Sequence, residues 1–238
     1  MSIASFDFIQ FDEQTHRYYN TNTGQYVPSV TSVISKLYKF DKAYQLKRKA
    51  KKLNITPEEL EKQWDTKRDN AADKGKTFHK YMEDRLNNKP LLTENYIAES
   101  YLTTYKDDVS LQCEMVVGNH LIAGTFDNLS LRGDKYILKD WKTNETFTVE
   151  SEYNLEKPFA YLDNSKFTIY ALQLSLYRYL LDIPIHRMEV VHFTNTHFKV
   201  YTLPYMEREV WQIIKKLEHD NRATYSSVTG IDPAILRS

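Results

Sequence analysis

Asp127, Asp140 and Lys142 are the residues whose types and spacing most directly offer chemistry. Gly133-Asp134 has the composition of a two-residue hairpin turn, which pairs Arg132 with Lys135 and, carried back along the ladder, sets Asp127 opposite Asp140. Side chains repeat every second residue along a strand, so Lys142 projects from the same face one step beyond Asp140. Like charges opposed across a ladder destabilise a sheet. A divalent cation or a shifted proton relieves them, although two acids and a lysine at a strand end also occur as ordinary surface charge.

His79 adds an imidazole. In a helical register it lies about 100° from Phe78 and one turn after Gly75, at the border of an apolar stripe where a histidine is most often a satisfied core residue. Beside two carboxylates it completes an oxygen, oxygen and nitrogen set suited to Mg2+ or Mn2+. Gln173 and Tyr177 stand one turn apart in an otherwise apolar helical run and share a face. A buried amide and phenol satisfying each other, and a clamp that orients a lysine or a phosphate, both fit that pair. With Gly118-Asn119 as a two-residue loop, Glu114 opposes Ala123, roughly 13 Å of strand rise from Asp127. That register leaves Glu114 an outer, supporting role.

Charge is balanced overall, 32 Lys and Arg against 32 Asp and Glu, but not locally. Residues 36–52 hold Lys36, Lys39, Lys42, Lys47, Arg48, Lys49, Lys51 and Lys52 against Asp41, with Tyr38, Phe40 and Tyr44 interleaved. Such a stretch grips a phosphate backbone or is a solvated helix face. Ser29 and Thr31 precede it at a helix N-terminus, where free amides favour a phosphate, so Ser29, Thr31, Lys47, Arg48, Lys49 and Lys51 form the expected substrate grip. Gly75-Lys76-Thr77 imitates the end of a phosphate-binding loop, but Asn70 stands where that loop needs glycine. Cys113, the single cysteine, excludes an intramolecular disulfide, a multi-cysteine zinc site and a self-contained iron-sulfur cluster.

These residues need elements to position them. The chain has 238 residues, 41% of them apolar, which suffices for a hydrophobic core. No apolar run approaches the roughly 18 residues that cross a bilayer. The first 16 residues carry acids and no base, so neither a membrane partner nor a secretory or transit signal is expected and the location is cytoplasmic. Residues 6–30 read as short strands around turns, and Pro28-Ser29-Val30-Thr31 as a helix start. Pro57 begins a second helix and residues 67–87 form a longer one. A meander covers 110–117, 121–131 and 135–142, followed by a buried helix over 165–181, a hairpin over 186–203 and a helix over 205–219. One α/β domain spans 1–238: a hairpin and basic helical region to about residue 66, a core over 67–203, and a C-terminal helix and tail over 204–238.

Gly75-x-x-x-His79, Gly124-Thr125-Phe126-Asp127, Asp140-Trp141-Lys142-Thr143 and Gln173-x-x-x-Tyr177, in this order, resemble the RecB-like branch of the PD-(D/E)XK nuclease superfamily. Val27-Pro28-Ser29-Val30-Thr31 is similar to phage exonucleases of that branch and to the mitochondrial genome maintenance exonuclease. The resemblance implies a restriction-endonuclease-like α/β core, a central mixed β-sheet flanked by helices. It implies that His79, Asp127, Asp140 and the Trp141 carbonyl bind Mg2+ or Mn2+ and that Lys142 positions or polarises the attacking water. Gln173 and Tyr177 would steady Lys142 and the scissile phosphate. The acid before the lysine is Asp140, where the superfamily more often has Glu, and the four-cysteine cluster of some relatives is absent. The implied partners are DNA, as single strands or duplex ends, and a replication or recombination protein, in a host cytoplasm if the chain is phage-encoded.

The expected activity is therefore a metal-dependent deoxyribonuclease, an exonuclease. A non-catalytic DNA-binding or assembly subunit is the alternative, against which the intact Asp127, Asp140 and Lys142 set speaks. An iron-dependent oxygenase is disfavoured, because none of the seven histidines begins an H-x-D or H-x-E pair.

Overall fold

Strand-forming alternation gives way to helical spacing at Pro28, and the computed structural model follows that change. It describes residues 5–38 and 40–229, with side chains through residue 221. Lys39 and the tail after residue 229 lie outside the described residues. β1 (Ile9–Asp12), β2 (Arg17–Asn20) and β3 (Gln25–Val27) form a small antiparallel sheet in that order. Ser29 then caps α1 (Val30–Ser35), accepting the Ser32 N–H at 3.0 Å, and Asp41 caps α2 (Lys42–Leu53). α1 ends at Ser35 and α2 begins at Lys42, so the lysines of α2 do not extend the helix that Ser29 begins.

α3 (Pro57–Leu86) is one helix of 30 residues where the sequence predicts two pieces. Pro57 supplies the first turn and Thr56 and Glu59 form a reciprocal capping box. No proline or glycine follows until Gly75, so nothing stops the helix, and the division drawn at residues 66 and 67 falls inside it. α4 (Tyr96–Thr104), capped by Asn95, has no counterpart among the sequence expectations.

β4 (Asp108–Gly118), β5 (Ala123–Arg132), β6 (Lys135–Lys142), β7 (Ile185–Phe193) and β8 (Phe198–Leu203) make a five-stranded sheet in sequence order. Only β6 and β7 pair parallel, so the sheet is mixed. A parallel pair needs a crossover, and α5 (Lys166–Leu181) supplies it, capped by Ser165 and ended by a left-handed Asp182. α6 (Glu207–Thr229) closes the described chain, ten residues beyond the expected end at 219. The fold class is α/β with helices flanking a mixed sheet.

Two apolar layers hold the sheet. α1, α5 and α6 pack Ile34, Leu172, Leu176 and Ile213 against Phe126, Leu138 and Val190. α3 and α4 pack Phe78, Met82 and Tyr101 against Trp141, Val191 and Phe193. α5 is buried nearly all round, as its largely apolar sequence demands, and each fully buried Leu contributes about 1.5–3 kcal/mol. Among the described residues no helix is long and apolar enough to cross a membrane.

The two hairpins of β4–β6 obey their turns differently. Gly133, at φ 65°, makes the expected tight turn, and Arg132 pairs with Lys135 back to Asn128 with Lys139. The β4–β5 connection is not the predicted two-residue loop. Asn119 accepts the N–H groups of Leu121 and Ile122 on its side chain and donates its own N–H to the Ile122 carbonyl, closing a turn over residues 119–122. Leu121 and Ile122 are buried in the core instead of pairing in the ladder. Gly118 therefore pairs with Ala123, and the whole of β4 is displaced relative to the predicted register.

Candidate metal centre

That displacement moves Glu114. Met115 pairs with Phe126 and Cys113 with Asn128, so Glu114 stands level with Asp127, not with Ala123. Its backbone is left-handed, φ 49°, a conformation non-glycine residues seldom adopt. From α3, His79 turns Nδ1 toward both acids, 3.0 Å from Glu114 Oε1 and 3.6 Å from Asp127 Oδ1. The predicted register of Glu114 opposite Ala123 is corrected: the donor atoms of His79, Glu114 and Asp127 lie within 4.8 Å of one another, so one ion could meet all three. The missing signal was the Asn119 turn, whose side chain sets the register.

Trp141 locks this group through its backbone. Its N–H donates to Asp127 Oδ2 at 2.5 Å, and its carbonyl accepts from His79 Nε2 at 3.2 Å. The carbonyl thus orients the imidazole from the side opposite Nδ1, fixing which nitrogen faces the carboxylates. The implied Trp141 carbonyl ligand is, in this arrangement, a brace for His79.

Asp140 and Lys142 form the adjoining group. Lys142 Nζ lies 2.5 Å from Asp140 Oδ2, and Gln173 Nε2 donates to Asp140 Oδ1 at 3.2 Å. The approach of Lys142 is an ionic contact that leaves Oδ2 without a well-angled hydrogen bond. The β5–β6 ladder ends at Asn128 and Lys139, one step short of the two acids predicted to oppose each other. Asp127 turns instead to the Trp141 N–H, yet the two acids still feel each other's charge.

Burial dominates the electrostatics here. It raises Asp140 to about 6, offset by the Lys142 charge and reinforced by Asp127. It also raises Asp127, against the pull of His79 and Lys142. For Lys142 burial works downward and loses to Asp140 and Asp127, so the ammonium is held firmly protonated. For His79 burial again works downward, but the Asp127 charge and the Glu114 hydrogen bond raise it to about 9. Without an ion, the His79 imidazolium and the Lys142 ammonium offset part of the negative charge gathered here.

Gln173 braces Asp140, the ionic partner of Lys142, and Tyr170, one turn earlier, places its ring 4.9 Å from Lys142 Nζ. Tyr170 was missed, although positions 170, 173 and 177 make one helical stripe. Tyr177 is buried against Gly124, where a Cβ would come within 2.6 Å of its ring. Its phenol hydrogen bonds Gln173, so the buried amide and phenol satisfy each other as one reading of that pair expects. Ser29 and Thr31 hydrogen bond each other, and Ser29 bridges to Ala123 at the start of β5. Lys47, Arg48, Lys49 and Lys51 are all exposed on α2, with Lys49 Nζ 5.2 Å over the Trp64 ring.

No family model matches the chain, and no curated protein matches it. Among solved structures, one titled "Crystal structure of SSO0001" aligns at 17% identity and a TM-score of 0.30, covering 51% of this chain and 54% of that one. The alignment thus spans about half the length of that protein, and a likeness of this size bears on neither the site nor its activity.

Proposed function

We propose that the chain is a metal-dependent nuclease that hydrolyses DNA phosphodiester bonds, acting from strand ends. The observation that supports this most is the convergence of His79, Glu114 and Asp127 within reach of one ion, directly beside the Asp140–Lys142 pair. The donor chemistry fits: one imidazole and two carboxylates, partly buried, suit Mg2+ or Mn2+. When bound, such an ion supplies a Lewis acid for phosphoryl oxygens and lowers the pKa of a coordinated water.

The chain's own groups do the rest. Asp140, with one oxygen fixed by Gln173, holds Lys142 at a set position and adjoins the ion site. Lys142, kept protonated, orients the attacking water and offsets charge that develops on the phosphate. His79 is fixed by the Trp141 carbonyl so that its Nδ1 would be the atom offered to a bound ion. Exposed Lys47, Arg48, Lys49 and Lys51 add a positive approach surface.

End-labelled linear DNA and closed circular DNA, each single and double stranded, with Mg2+, Mn2+ or EDTA, test the reading. Linear DNA should be degraded only with metal and circles should resist. Asp140→Asn and Lys142→Ala should each abolish turnover while near-native circular dichroism persists. Near-normal turnover in either purified variant, or no metal-dependent cleavage by the native chain, refutes the assignment.

A further inference from the structure

A groove of about 1350 Å³ runs between α3, the segment 143–146 and the start of α5. Its lining includes Thr143, the residue that follows Lys142 in the chain. Basic side chains predominate along it. Lys62 and Lys166 have no ion-pair partner among the described residues, and Lys74 donates to the neutral Asn195 at 2.8 Å. Of the two acids in the lining, Glu59 is engaged in the α3 capping box. The other, Glu145, reaches across to Lys67 at 2.7 Å, with both side chains largely exposed. Trp64 and Asn70 lie between the cations, and Lys49 over the Trp64 ring joins the basic face of α2 to the groove.

Cations, an indole and side-chain amides in one concavity match a ligand that shows phosphates and base faces together. An unpaired strand does so; a duplex turns its bases inward and offers a convex phosphate surface. We propose that this groove seats a single unpaired DNA strand leading to Lys142, and that Glu145 occupies Lys67 in place of a phosphate until the strand displaces it. The proposal rests on the nuclease reading for its direction toward Lys142. Exposed ion pairs are weak and easily exchanged, so such a latch filters weak anions without trapping the groove shut.

Fluorescence anisotropy in EDTA, where no cleavage occurs, measures the binding of labelled oligothymidylate and of a blunt hairpin of equal length. Oligothymidylate should bind the native chain about tenfold tighter than the hairpin. Glu145→Gln should tighten oligothymidylate binding several-fold at low salt and do nothing in a Lys67→Gln background. The triple variant Lys62→Gln, Lys74→Gln, Lys166→Gln should weaken binding and flatten the salt slope by about 0.7 for each phosphate no longer neutralised. Unchanged affinity and slope in the Glu145 and triple variants, or tighter binding of the hairpin, overturns the groove assignment even if metal-dependent cleavage is observed. Groove-dependent binding by a chain that never cleaves DNA upholds the groove and removes the nuclease reading alone.

Discussion

If His79, Glu114 and Asp127 hold an ion as proposed, His79 should make metal affinity a steep function of pH. Its pKa, raised from 6.5 to about 9, means that at pH 7 roughly one molecule in 100 carries the neutral imidazole an ion requires. Binding at pH 7 must therefore expel close to one proton. The apparent dissociation constant for Mn2+ should fall about tenfold per pH unit from 6.5 to 8.5. Below pH 6 the slope should steepen, since Asp140 protonates near 6. The metal-free fold responds in the opposite sense. A group whose folded pKa lies above its unfolded one stabilises fully below the unfolded value, near 6.5, and loses that contribution as pH rises through about 9. The upper limit is about 3 kcal/mol for a shift of this size, reduced by the ring's partial exposure. Titration calorimetry with Mn2+ in buffers of different ionisation enthalpy counts the proton directly. His79→Gln should abolish both the proton release and the pH slope. A flat affinity between pH 6.5 and 8.5, with no buffer dependence, would refute a protonated His79 between Glu114 and Asp127.

Three packing predictions follow from the same geometry. Gly124→Ala drives a Cβ to 2.6 Å from the Tyr177 ring; it should cost about 1–3 kcal/mol in urea unfolding, with Tyr177→Leu in the same chain restoring part of the loss. Asn119→Ala removes the acceptor for two turn amides and should cost about 1–2 kcal/mol. It should also weaken Mn2+ binding at pH 8 measurably, because Glu114 owes its register to that turn; an unaltered affinity counts against the linkage. Asp108 receives both Arg132 and the buried Lys139, at 2.7 and 2.6 Å, so Asp108→Asn should cost about 3–5 kcal/mol by leaving a buried ammonium poorly compensated. Retention of the native midpoint would show that the network relaxes.

The hairpin carrying Asp140 and Lys142 was legible as far as Asn128 and Lys139 because Gly133 satisfies a local rule: a tight turn needs left-handed backbone, and two residues then fix the pairs that follow it. Glu114 was not legible for the converse reason. Asn119 closes its turn through a side chain, and burial of Leu121 and Ile122 decides the loop length, which no local spacing in β4 records. Helix lengths failed where a start signal was not matched by a stop, as at Pro57, and α4 was missed altogether. The groove was invisible from the sequence because tertiary packing alone assembles residues 62–74, 143–146, 166 and 195.

Trp141 couples two properties usually discussed apart. Its indole lies in the aromatic layer with Tyr101 and Phe193 at 5.5 and 6.1 Å, while its peptide groups hold Asp127 and His79. The layer between α3, α4 and the sheet is thus also the mounting of the candidate ion site, with no flexible linker between them. Affinity for Mn2+ should accordingly report on the tightness of that layer. On heating, ion binding should fade as α4 loosens, ahead of the loss of the sheet itself, and small changes at Tyr101 should be read at His79 although the two side chains sit in different environments.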